Sequence, residues 1–155
     1  MNVDREIECC DKAIENAQNI KKVLLQFQSL SEKLQGEPKI EIVGNFQARP
    51  TVNVAFWEKK VGTYYNAGMK VRTLKNNTRF AFEYWPGCSN NRGYYDGYDI
   101  KDKQIQDEFH KYTKNLTYEQ LLKLLTQFDK WMDWKEAIKL MQQLIKEFKL
   151  SKDFK

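Results

Sequence analysis

Residues 79–85 read Arg-Phe-Ala-Phe-Glu-Tyr-Trp, and this stretch decides the fold. The large rings of Phe80, Phe82 and Tyr84 alternate with other residues, a period of two that is typical of a strand with one buried face. Earlier parts of the chain repeat this alternation at Ile40 and Ile42, at Val52, Val54 and Phe56, and at Met69 and Val71. The pattern predicts three or four antiparallel strands joined by short connections, with turn residues at Asn76-Asn77.

Helical periodicity precedes this strand region. Between about Asp4 and Gln35, apolar residues recur in steps of three and four, and Gly36 and Pro38 end the pattern. Such a helix is about 45 Å long at 1.5 Å per residue, which exceeds the width of a small sheet. We therefore expect one end of it to pack on another helix or on a second copy of the chain.

The last third of the chain also predicts helices. One spans about Lys101–Lys114, and Thr117-Tyr-Glu-Gln120 matches a capping box at the start of another. A second box at Asp133-Trp-Lys-Glu136 fits either one long helix or two helices that break near Asp133. Together these patterns predict a single α+β domain over residues 1–155: a long N-terminal helix, a three- to four-stranded antiparallel β-meander and a C-terminal helical pair.

Composition excludes several classes of protein. A chain of 155 residues with 41% hydrophobic and 30% charged residues is typical of one globular domain. No apolar run approaches the roughly 20 residues that span a bilayer, and the acidic N-terminus lacks the pattern of a signal peptide. Three cysteines are an odd number and fit no closed disulfide framework. We expect a cytoplasmic protein with no membrane segment.

Residues suited to catalysis are scarce. The chain has one histidine and neither of the glycine-loop motifs that cradle phosphates, GxxxxGK[ST] and GxGxxG. We therefore predict a protein that is not an enzyme and that holds no metal and no cofactor. The main enzymatic alternative is Glu58-Lys59-Lys60, a Glu-x-Lys triplet of the kind that metal-dependent PD-(D/E)xK nucleases use. That chemistry needs a second carboxylate, for which the preceding strand offers only Glu41.

The positive charge of the chain is concentrated in the predicted strands. The whole chain carries a net charge of +5, whereas Gly44–Tyr95 alone carries +6. If the alternating apolar residues face a core, their neighbours share the opposite face of the sheet. That face is predicted to carry two tryptophans and four cations: Trp57, Lys59, Lys70, Arg72, Arg79 and Trp85.

Tryptophans among cations suit unpaired nucleic acid. Aromatic rings stack on bases while cations contact phosphates, and sheets that bind single-stranded RNA use this chemistry. The predicted loop Pro86–Asp99 adds residue types that are common at interfaces. We therefore extend the predicted surface beyond the sheet face to Arg49 and to four loop residues: Arg92, Tyr94, Tyr95 and Tyr98.

These observations predict a binding protein that engages RNA or an RNA–protein complex. A compact basic domain without catalytic residues also suits an inhibitor of a larger machine, such as the phage-encoded antagonists of bacterial defence nucleases, anti-CRISPR proteins among them. Three alternatives stay open at this point. The surface can bind a protein instead of RNA, a helix can cover it and turn the tryptophans into core, and the amphipathic helices can form a homodimer.

Overall fold

The computed structural model describes residues 2–32, 38–61, 65–74, 77–85, 100–128 and 134–151. The predicted α+β class is confirmed, since a long helix precedes one antiparallel sheet and further helices follow it. The described elements are α1 (Val3–Ser31), β1 (Lys39–Val43), β2 (Thr51–Val61), β3 (Tyr65–Leu74), β4 (Arg79–Trp85), α2 (Ile100–Tyr112), α3 (Tyr118–Leu125) and α4 (Trp134–Leu150).

The sheet is a meander in which neighbouring strands are also neighbours in the chain. Its order is β1-β2-β3-β4, and every pair is antiparallel. The helices pack on one face of the sheet, so alternate residues of β2, β3 and β4 are buried there, as the sequence pattern predicts. These residues are at most 4% exposed: Val52, Val54, Phe56, Met69, Val71, Phe80, Phe82 and Tyr84.

The edge strand β1 departs from this pattern. Ile40 and Ile42 pair with the buried Val54 and Val52, yet they are 50% and 39% exposed. The rings that contact α1 and the C-terminal helices come from β2 and β4. Because β1 lies at the edge beyond these contacts, its apolar residues stay in solvent.

Among the described residues, the buried side chains of α1 all lie in its second half. Its buried residues begin at Ile20 and end at Leu30, whereas Ile7 and Ile14 are more than half exposed. A helix of 29 residues is about 44 Å long, whereas four strands span less than about 20 Å. The helix is therefore too long for the sheet to cover. The expected packing of its other end, on another helix or on a second copy of the chain, stays a prediction.

The other edge of the sheet is closed by the segment that follows it. Phe80 exchanges two backbone hydrogen bonds with Leu116, at 2.8 Å each. The Thr113 hydroxyl donates to the Phe82 carbonyl at 3.1 Å, and the Gln106 amide donates to the Tyr84 carbonyl at 3.3 Å. Since an exposed edge offers backbone groups to any other strand, these contacts block pairing along β4.

In the described part of the chain, two helices follow α2, as one of the two predicted arrangements requires. The predicted capping box starts α3. The backbone N–H of Gln120 donates to the Thr117 hydroxyl at 3.2 Å, and the backbone N–H of Thr117 donates to the side-chain oxygen of Gln120 at 3.0 Å. The α3 helix ends at Leu125 and α4 begins at Trp134. Asp133, which begins the second predicted box, lies outside the described residues. In the described ranges, no helix combines the length and the apolar character needed to cross a bilayer.

Replacing Phe27 tests how strongly α1 depends on the sheet. The Phe27 ring is fully buried, with centroids 5.4 Å from Phe56 and 5.7 Å from Phe80. We expect Phe27→Ala to lower the free energy of unfolding by about 3–5 kcal/mol, because it leaves a cavity between helix and sheet. Urea denaturation measures the change. Phe46→Ala is the control, since Phe46 is 40% exposed and its loss should cost less than about 1 kcal/mol.

Candidate functional site

The face of the sheet opposite the helices, here called the open face, presents two rows of residues across the strands. The register places Lys39, Ala55, Lys70 and Glu83 side by side in one row. It places Glu41, Asn53, Arg72 and Ala81 side by side in the next. Successive side chains of a strand point to opposite faces of the sheet. The members of the two rows are two residues apart in each strand, so both rows lie on the same face.

Small residues and long charged residues give the open face a concave shape. Ala81 is buried and Ala55 is half-buried, whereas Lys39, Lys70 and Arg72 are exposed. The alanines form a low floor, and the long side chains stand around it. The resulting concavity has a volume of about 520 Å³. No helix of the described ranges lies over this concavity. The described residues therefore give no support to the alternative in which a helix covers this face.

The charges on the open face are mixed rather than uniformly positive. Lys70 lies directly opposite Glu83, and Glu41 lies one strand beyond Asn53 in the row of Arg72. Lys39 and Glu41 were not predicted members of this face, because the predicted face included only residues of β2, β3 and β4. The signal was present, since both residues alternate with Ile40 and Ile42.

Trp85 lies at the end of β4 beneath a cation. The Lys70 ammonium is 4.9 Å from the centroid of the Trp85 ring, which is a cation–π distance. The ring is half-buried, so part of it is open to solvent. The sequence places both residues on the same predicted face, and the structure brings them together.

Two of the predicted arginines lie away from the concavity. The Arg79 guanidinium donates to the Asn115 carbonyl at 3.4 Å and therefore reaches towards the α2–α3 connection. Arg49 is exposed and lines a second concavity, also of about 520 Å³, with Lys12 and Asn16 of α1 and Asn77. The structure thus separates Arg49 from the open face, although both belong to the same basic segment of sequence.

A register shift interrupts the alternation on which the placement of Trp57 and Lys59 depended. The pairing moves by one residue between Ala55 and Trp57, so that Trp57 is opposite the buried Met69. A β-bulge of this kind breaks the period of two, and a strictly alternating projection does not continue past it. The side chains of Trp57 and Lys59 lie outside the described part of the structure.

The whole predicted loop, and the side chains of the predicted nuclease triplet, lie outside the described residues. Residues 86–99 are not described, and this range includes Arg92, Tyr94, Tyr95 and Tyr98. The backbone of Glu58 is described and pairs with Gly68, whereas Glu41 pairs with Asn53. Glu58 is five residues from Asn53, so the two glutamates are separated by about 16 Å along the strands at 3.3 Å per residue. Two carboxylates so far apart do not share one ion, so the register gives the nuclease alternative no support.

Metal-ligating residues do not converge in the described ranges. No group of three or more His, Cys, Asp or Glu side chains there is arranged to hold an ion. Cys9 and Cys10, which are adjacent on α1, are free thiols. This part of the structure therefore offers no metal centre.

His110 contacts the edge of β4. Its Nε2 lies 2.8 Å from the Tyr84 carbonyl oxygen and 3.2 Å from the Tyr84 backbone nitrogen. Burial lowers the pKa of His110 below its ordinary value of 6.5, and the Tyr84 backbone, Glu83 and Asp107 oppose this effect only in part. A neutral, largely buried imidazole that contacts backbone groups supports the fold.

Comparison with known proteins identifies no relative of the chain. No protein-family model, curated protein or solved structure matches it.

The lowered pKa of His110 makes stability depend on pH. The unfolded chain binds a proton at His110 near pH 6.5, whereas the folded protein binds it only at lower pH. The contribution of the neutral His110 to the free energy of unfolding is therefore fully present above this value. It is lost as the pH decreases towards the pKa of the folded state. We expect the free energy of unfolding to decrease between about pH 7.5 and about pH 6.0, where carboxylates titrate little. Urea denaturation at a series of pH values measures this slope.

The matched variant is His110→Gln, which keeps an amide donor for the Tyr84 carbonyl and does not titrate. We expect this variant to lose the slope, whatever its stability at pH 7.5. An unchanged slope in His110→Gln would show that another group causes the pH dependence.

Proposed function

We propose that the protein is a non-catalytic binding protein whose open face engages single-stranded RNA, alone or within an RNA–protein complex. One observation carries the proposal: Lys39, Lys70 and Arg72 are exposed around a concave floor of small residues, beside the ring of Trp85. Cations that contact phosphates and a ring that stacks on a base are the two components of single-strand binding.

The spacing of the cations supports separate contacts with phosphates. Lys70 and Arg72 are two residues apart on β3, which is about 6.6 Å along the strand. Lys39 lies two strands from Lys70, at about 10 Å across the sheet. Since RNA phosphates are dispersed along the strand, three dispersed ammonium and guanidinium groups match them better than one cluster does.

Trp85 and Lys70 act together in this mechanism. A base that stacks on the Trp85 ring takes the place of the Lys70 ammonium above it. The displaced ammonium then lies at the edge of the base, where a phosphate can accept its hydrogen bonds. Stacking of this kind contributes about 1–3 kcal/mol per base. Arg92, Tyr94, Tyr95 and Tyr98 stay predicted members of the same surface.

A protein partner is the second candidate, and the acids on the open face favour it. Glu41 and Glu83 are exposed among the cations. Carboxylates repel phosphates, whereas a mixed pattern of charges can match a complementary pattern on a protein. The more specific prediction, an antagonist of a bacterial defence nuclease, names no residue beyond those of this surface. It stays a prediction.

Salt dependence tests the RNA proposal. Fluorescence anisotropy with a labelled oligouridine of about ten nucleotides should give a log–log slope of affinity against salt of about −2, since each phosphate contact contributes about −0.7. Arg72→Gln should weaken binding and make the slope about 0.7 shallower. The control is Lys146→Gln, which removes an exposed cation from α4 and should leave both values unchanged. Equal losses in the two variants, or no binding at low salt, would contradict the proposal.

Removing an acid separates RNA from a protein partner. Glu83→Gln takes a negative charge from the open face while it keeps the shape of the side chain. If RNA binds there, the affinity should rise by about 2- to 5-fold at low salt, because a repulsive charge is lost. An affinity for oligouridine that falls or does not change would count against phosphates on this face and favour the protein partner.

A further inference from the structure

The α1 helix carries two apolar stripes, and only one of them packs in the core. The core stripe consists of Ile20, Val23, Phe27 and Leu30, which are at most 2% exposed. A second set, here called the outer stripe, lies about 150° around the helix at 100° per residue. The outer stripe is exposed throughout and consists of Val3, Ile7, Cys10 and Ile14, of which Val3, Ile7 and Ile14 are 68%, 53% and 57% exposed.

The first half of α1 has little support from the rest of the described structure. Residues 3–19 include no buried side chain. Their tertiary hydrogen bonds in the described ranges come from the Asn16 amide, which donates to the Phe46 carbonyl at 2.7 Å and to the Ala48 carbonyl. In proteins, most of the stability of a helix comes from packing of its apolar face, and this segment has little such packing in the described structure. A partner on the outer stripe would supply that packing.

The spacing of the outer stripe is that of a coiled-coil seam. Its steps are four, three and four residues, and the series continues through Ala17, Lys21 and Leu24. Ala17 and Lys21 are exposed and Leu24 is half-buried, so the seam extends over about six turns of helix. Alternating steps of three and four keep one seam facing a partner helix.

We propose that two copies of the chain associate through their outer stripes, with the two α1 helices antiparallel. Charge decides the orientation. Acids flank the start of the stripe at Asp4, Glu6 and Asp11, whereas Lys21 and Lys22 follow near its other end. In a parallel pair in register, Glu6 of each copy would face Asp11 of the other copy.

An antiparallel pair reverses this relation. With the twofold axis near residue 12, Ile7 lies opposite Ala17 of the second copy, and Cys10 lies opposite Ile14 of the second copy. Lys21 then lies beside the acidic first turn of the other helix, within reach of Asp4. The twofold axis makes this contact twice, as an isologous dimer requires.

The first test measures association of the full chain. Sedimentation velocity at concentrations from about 1 to about 100 µM should show a monomer–dimer equilibrium. Ile7→Asp should raise the dissociation constant at least about 10-fold, because it places a charge in an apolar seam. The control is Leu150→Asp, which makes the same kind of change at a residue of α4 that is 85% exposed. A monomeric wild type, or equal effects of the two variants, would overturn the proposal.

The second test addresses the orientation. Asp4→Lys and Lys21→Glu should each weaken the dimer by about 3- to 10-fold at low salt, and the double variant should recover most of the loss. Recovery is specific to helices that bring these two positions together. Additive weakening in the double variant would overturn the antiparallel arrangement. Circular dichroism of each monomeric variant checks that α1 is still helical, so a loss of association is not a loss of folding.

Discussion

The rings on the helix-facing side of β4 hold the helices to the sheet. Phe80 contacts Phe27 of α1, at a centroid distance of 5.7 Å. Phe82 contacts Phe109 of α2 at 6.1 Å, and Tyr84 stacks on Phe128 at 4.6 Å. Because successive rings of one strand reach α1, α2 and the segment that follows α3, both helical parts of the chain depend on β4. Burial of such large side chains is the main favourable contribution to a core of this size.

The same strand explains why the helices lie on one side of the sheet. The segment after β4 closes its edge through Leu116, Thr113 and Gln106, so the helices that follow stay near that edge. One covered face is sufficient to bury the alternating rings, and an antiparallel sheet tolerates solvent on the other face. The open face is thus a consequence of how the core is built, and Lys70 and Arg72 occupy it without cost to the packing beneath.

Much of the fold was predictable because it depends on local periods. The buried rings of β4 and the capping box at Thr117 are written in short stretches of sequence, and both were found where they were predicted. The placement of Trp57 was less predictable. A bulge adds one residue to one strand and depends on how two strands fit together, which a pattern within β2 does not contain. The exposure of Ile40 and Ile7 also depends on contacts between elements, since an apolar residue is buried only if another element reaches it.

For this protein, the sequence by itself determined the type and order of the elements and which side of β4 is apolar. Its alternation also identified Lys70 and Arg72 as neighbours on the opposite face. Only the tertiary structure decided that this face is concave and carries Lys39 and Glu41, that Arg49 lies elsewhere, and that the buried side chains of α1 lie in its second half. The physical reason is that periodicity reports the environment each residue requires, whereas register, edges and the finite width of the sheet determine which residues obtain it.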